Sequence, residues 1–86
     1  MKKKISQKIL KYTTIFEPAE EGGYVVYVPA LPGCVTEGDT LEEAVEMVKD
    51  AISGYITSLK KHHEPVPEEK GPSFMTTIDI PVQSPY

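Results

Sequence analysis

Residues 28–44, VPALPGCVTEGDTLEEA, constrain this chain more than any other stretch, because they join an apolar strand to a capped helix through a loop specified almost residue by residue. Pro29 and Pro32 fix φ and withhold backbone donors, Gly33 and Gly38 accept left-handed conformations, and Asp39 or Thr40 can cap the helix that follows. The corner is rigid. Rigid corners between regular elements are where binding residues are held in place.

Upstream, residues 8–17 alternate as a strand does, with Leu10, Tyr12, Thr14 and Phe16 on one face and Ile9, Lys11, Thr13 and Ile15 on the other. A turn is expected at residues 20–23, EEGG. Residues 24–28, YVVYV, are β-branched or aromatic throughout, which predicts a strand at least partly covered on both faces, in the middle of a sheet. Beyond the proline corner, residues 33–38 supply a short third strand and complete an antiparallel meander.

Thr40-Leu41-Glu42-Glu43 matches a capping box. Leu41, Ala44, Val45, Val48, Ala51, Ile52, Tyr55, Ile56 and Leu59 then recur with helical spacing along one long helix. Glu42, Glu43 and Glu46 fall at its positive end, Lys60, Lys61, His62 and His63 at its negative end, and Glu64-Pro65 stops it. Residues 64–73 read as a polar, Pro-rich tether. Residues 74–82 read as a final strand, with Phe74, Thr76, Ile78 and Ile80 alternating against Met75, Thr77 and Asp79, and Pro81 marking an edge or strand end.

The expected fold class is α+β, a single small domain built from an antiparallel β-meander, one long helix and a final strand in the order βββαβ. It occupies residues 8–82, between a basic segment at residues 1–7 and a tail at residues 83–86. One helix covers only one face of such a sheet. Val25 and Tyr27, pointing opposite to Tyr24, Val26 and Val28, are left as a surplus apolar face, which predicts a homo-oligomer (dimer or tetramer) or an obligate partner-binder.

The corner, with Tyr12 before it, Gly23-Tyr24 at the strand start and Ala51 along the helix, resembles the HicB family of antitoxins over residues 12–67. The family pattern runs from an aromatic-rich strand through a Gly-Tyr turn to a Pro-x-Leu-Pro-Gly-Cys loop, then Gly-Asp-Thr and a Glu-Ala helix start. Gly23, Tyr24, Pro29, Leu31, Pro32, Gly33, Cys34, Gly38, Asp39, Thr40, Glu43 and Ala44 fall on it, while Ala30 stands where the family often carries Asp. The resemblance implies a partial RNase H-like domain of a type II toxin–antitoxin system that binds and neutralises a small toxin ribonuclease, HicA. It implies a binding protein rather than an enzyme, without a cofactor. A DNA-binding module often follows this domain in the family; no segment after Leu59 fits one, which leaves direct operator binding doubtful.

At 86 residues, a chain hides only about 60–65% of the surface its unfolded form exposes, so its own core is marginal. The net charge of −4 argues against general nucleic-acid binding and suits an inhibitor of a basic protein. Lys2, Lys3 and Lys4, joined by Lys8 and Lys11, read as a solvated terminus before a nucleic-acid arm. No apolar run approaches a membrane span or a signal-peptide core, and a lone cysteine, Cys34, fits a reducing compartment, so a cytoplasmic location is expected.

Cys34 with His62 or His63 suggests a thiol nucleophile and base, yet no orienting residue accompanies them, and a small buried side chain is the expected role. Adjacent histidines on a helix point apart, which suits a helix-end cation better than a metal site. An RNase H-like, metal-dependent nuclease is the rival of a different class, with Glu17, Glu20, Glu21, Glu37, Asp39, Glu43 and Asp79 as its carboxylates. Asp39 and Glu43 read better as caps. For partner binding the expected residues are Glu17, Glu20, Glu21 and Glu37, meeting toxin Lys or Arg, with Tyr27 on the sheet and Leu31, Pro32 and Gly33 holding the surface in shape. Tyr24 and Tyr27 are equally suited to an interface or to the core, and Tyr55 belongs rather to the apolar stripe of the helix. An oligomeric scaffold with another partner uses the same apolar face.

Overall fold

A computed structural model of the chain describes residues 8–84. Three strands, β1 (Ile15–Pro18), β2 (Tyr24–Tyr27) and β3 (Val35–Gly38), precede one helix, α1 (Leu41–Lys61). The strands form an antiparallel meander with β2 in the centre. Ile15 faces Tyr27 and Glu17 faces Val25 across the first pair; Tyr27 faces Val35 and Val25 faces Glu37 across the second. This is the α+β arrangement the periodicity predicts, with the central strand where its apolar composition places it.

The helix lies on one face of the sheet, chiefly against β3 and β2. Val26, Val28, Leu31, Cys34, Ala44 and Val48 form the buried core, and Tyr12, Phe16, Tyr24, Ala51, Ile52 and Tyr55 pack around it. Phe16, Tyr24 and Val26 are inward positions of period-two strands, Ala44, Val48, Ala51, Ile52 and Tyr55 those of a period-3.6 helix, and Leu31 and Cys34 come from the corner between them. At the start of α1 the backbones come into close approach. A Cβ on Gly38 would lie 2.5 Å from the Ala44 nitrogen, and one on Gly23 would lie 2.6 Å from the Gly38 carbonyl oxygen. Turn, strand and helix stack there with no room for a side chain.

Both helix ends are capped. Thr40 Oγ1 accepts from the Glu43 N–H at 3.0 Å, and the Glu43 carboxylate accepts from the Asp39 N–H at 3.0 Å, one residue earlier than in a standard capping box. At the other end Glu64 N donates to the Leu59 carbonyl (2.9 Å) and His63 N to that of Lys60 (3.1 Å), a Schellman closure with His63 at φ 57. His62 Nδ1 sits 2.8 Å from the Ser58 carbonyl oxygen, placing that histidine at the helix end as a donor to its last turn.

Two expected strands are corrected. The first begins at Ile15 rather than residue 8, because β2 ends at Tyr27 and the chain then turns away, leaving residues 8–14 without a ladder partner among the described residues. Those residues are tied instead to the segment after the helix. The Tyr12 hydroxyl donates to the Pro67 carbonyl, the Thr13 N–H and hydroxyl both donate to the Glu69 carboxylate, and Lys8 pairs with Glu68 at 2.8 Å. The expected final strand at residues 74–82 pairs with nothing among the described residues and lies exposed along its whole length. The second and third strands end and begin slightly inside their expected bounds, at Tyr27 and Val35. Lys2, Lys3 and Lys4 and the last two residues of the tail lie outside the described residues.

Candidate functional site

The sheet face turned away from α1 carries a pattern that the register assembles. Directly paired residues share a face, so Ile15, Tyr27 and Val35 form an apolar row across all three strands, and Glu17, Val25 and Glu37 form a second row beside it. Ile15, Val25 and Tyr27 are half-buried, Val35 is 57% exposed, and both glutamates are exposed. Glu17 and Glu37 flank Val25 at two strand spacings, roughly 10 Å. An apolar stripe bordered by two carboxylates is thus presented on a pleated, hydrogen-bonded platform.

The acidic end of this face continues onto the β1–β2 turn, which carries Glu20 and Glu21 and closes through Ala19 N–H to Gly23 carbonyl and Gly22 N–H to Ala19 carbonyl bonds, each 3.0 Å. A polar hollow of about 380 Å³ lies at the same end, with Glu21, Glu37, Asp39 and Glu43 in its wall. The four acidic residues expected to meet a partner are thereby gathered at one end of the molecule from β1, the turn and β3.

The proline corner lies at the opposite end. Leu31 is fully buried and acts as its plug. Around it Leu31 N donates to Val28 carbonyl (3.0 Å), Cys34 N to Leu31 carbonyl (2.9 Å) and Val28 N to Cys34 carbonyl (3.1 Å), and the Tyr55 hydroxyl from the helix donates to the Pro32 carbonyl at 2.8 Å. Pro29, Pro32 and Gly33 are exposed, Gly33 at φ +83. Leu31 thus shapes the loop from inside, while Pro32 and Gly33 form its surface. The corner and the acidic turn are not one patch; the open face of the sheet runs between them.

Three other expected residues lie in or against the core. Tyr24 and Tyr55 pack against the core. Cys34 is buried, and that burial pushes its thiol above the usual range. Burial, with Glu68 and Glu69 nearby, likewise raises the Tyr12 hydroxyl, and Lys8 holds the Glu68 carboxyl below the ordinary range. Among the described residues no group of three or more His, Cys, Asp or Glu side chains stands where it could hold a metal ion. Also among them, no helix is long and apolar enough to cross a membrane.

Ile15, Val25 and Val35 belong to the open face but not to the partner-binding set expected from sequence. Alternation puts Val25 with Tyr27; Ile15 and Val35 join them only once the register is known.

Residues 12–79 match the family model described as HicB_like antitoxin of bacterial toxin-antitoxin system. The chain is 55% identical over 60 residues to UPF0150 protein Ta0767 of Thermoplasma acidophilum, covering 70% of this chain and 87% of that one. It is 44% identical to UPF0150 protein ssr1765 of Synechocystis over 73% of this chain and 80% of the relative. To Antitoxin HicB 1 of Photorhabdus laumondii it is 39% identical over 87% of this chain but only 48% of that protein, so it spans about half of that antitoxin. The family match runs through the strand meander, the proline corner and the capped helix together, and the chain belongs to the HicB-like antitoxin family of bacterial toxin–antitoxin systems.

Proposed function

We propose that this protein neutralises a small, basic HicA-type ribonuclease toxin by binding it, without turnover. The observation that carries this reading is the open face of the sheet, where Ile15, Tyr27 and Val35 lie beside Glu17, Val25 and Glu37. An apolar centre excludes water from a contact, and carboxylates at its margin select a basic partner and speed its approach. Glu20 and Glu21 extend that margin. A bound toxin would have its RNA-binding surface occupied, which blocks mRNA cleavage by steric and electrostatic means. The half-exposed apolar row also supports self-association, and a cytoplasmic location follows from the function. The β-meander followed by one helix is the arrangement a partial RNase H-like domain would begin with. Direct operator binding forms no part of this proposal.

The test is a pull-down from native extract with the purified chain as bait, with mass spectrometry of the retained protein, followed by an RNA-cleavage assay of that protein with and without the bait. A retained HicA-like polypeptide whose cleavage stops on adding the chain supports the proposal. Recovery of the bait alone, or undiminished cleavage in the presence of a bound bait, overturns it. Magnesium- or manganese-dependent cleavage by the bait itself would favour the nuclease reading instead.

A further inference from the structure

We propose that residues 74–82 are exchanged between two copies of this chain, each copy laying this run along the β1 edge of the other. The run has the composition and alternation of a strand, yet Phe74 is 91% exposed, Met75 76%, Ile78 72%, Ile80 70% and Val82 63%. Such a series of apolar side chains in water has no stable place on a solitary domain. The chain's radius of gyration is 17.7 Å and its longest extent 74 Å, whereas about 12 Å is expected for a compact chain of this length. The run is exposed from Phe74 to Val82 rather than packed on the core.

The complementary surface is on the same molecule. With the strand order β1-β2-β3, the outer side of Ile15–Pro18 is an edge whose backbone donors and acceptors have no strand partner among the described residues. The run starts beside that edge. Glu69 is bonded to Thr13, and a cavity of about 560 Å³ opens between Thr14, Ile15, Pro29 and Ala30 on one side and Phe74 and Met75 on the other. Residues 69 and 73–75 therefore lie alongside residues 13–15, next to the start of β1.

Exchange follows from the linker and from symmetry. Pro65, Pro67 and Pro72 stiffen the segment that leads out, and its grip on Tyr12 and Thr13 fixes where the run departs. A strand and an acceptor edge carried by one chain are satisfied reciprocally about a two-fold axis, which closes the assembly at two. Five apolar side chains at these exposures present on the order of 700 Å² in each copy, so two copies reach the roughly 1,200–2,000 Å² that stable interfaces bury. Pro81, which cannot donate to a ladder, sits near the end of the run, where a missing donor is tolerated.

This inference deepens the self-association proposed above and rests on it; it is independent of any toxin. The experiment is sedimentation of the full chain at micromolar concentration, alone and with Ile78→Asp and Ile80→Asp combined. It is accompanied by isotope-filtered NMR on a mixture of differently labelled wild-type chains. Expected are a dimer, dimerisation weakened on the order of a hundredfold or more in the double variant with helical circular dichroism retained, and intermolecular contacts from residues 78–80 to residues 15–18. A monomeric wild type overturns both the exchange and the self-association. A dimer indifferent to the double substitution, or the same contacts arising only within one chain, overturns the exchange and leaves self-association standing.

Discussion

The tightest constraint on single residues is the stack of Gly23, Gly38 and Ala44. Gly38 has the Ala44 nitrogen and Cα at 2.5 and 2.7 Å from where a Cβ would be, and backbone cannot step aside as a flexible side chain does. Gly38→Ala is therefore expected to separate β3 from the start of α1 and to cost about 1–3 kcal/mol, the usual range for overpacking. Gly54→Ala, where nothing lies within 4 Å, should instead stabilise the helix by up to about 1 kcal/mol. Urea denaturation of both variants checks the pair, and equal effects would refute the close-approach argument. Cys34 supplies a second residue-scale prediction. Burial alone raises its thiol, so alkylation in native buffer should run on the order of a thousandfold slower than in urea, tracking opening of the fold. Fast native labelling followed by mass spectrometry would show that the proline corner opens readily.

Among the elements, α1 and the proline corner were the most legible from sequence, because their signals are local. A hydroxyl at Thr40, a carboxylate at Glu43, nine apolar residues in helical phase and Glu64-Pro65 each act within a few positions. Residues 8–14 and 74–82 alternate just as convincingly, but alternation states only which way side chains would point if a partner strand existed. Partners are decided by where β2 ends and by what lies beside β1, which no local signal contains. The same reason kept Ile15 and Val35 out of the set expected from sequence, although the register places them on one sheet face with Glu17, Tyr27 and Glu37. Helix caps offer a paired test. Thr40→Ala should cost about 1 kcal/mol by orphaning the Glu43 N–H, whereas His63→Gly should gain about 0.5–1 kcal/mol, since His63 holds a left-handed φ of 57 that glycine adopts without strain. Thermal melts followed at the helical circular dichroism band should move in opposite directions.

For the molecule as a whole, placement of charge matters more than its net value. The chain carries −4 overall, but the acidic groups that border an apolar surface are Glu17 and Glu37 on the open face and Glu20 and Glu21 on the adjoining turn, whereas Asp50 lies exposed on the helix. If the open face receives a basic toxin, Glu37→Lys should lower the association rate constant by roughly threefold to tenfold at low salt, with the difference shrinking as salt is added. Asp50→Lys makes the same change in net charge on another surface and should leave the rate within about twofold, because steering acts through the local field at the docking patch. Stopped-flow association with the captured toxin, at two ionic strengths, separates the cases. Equal slowing by both variants would mean that net charge alone guides encounter and that the binding surface lies elsewhere on the domain.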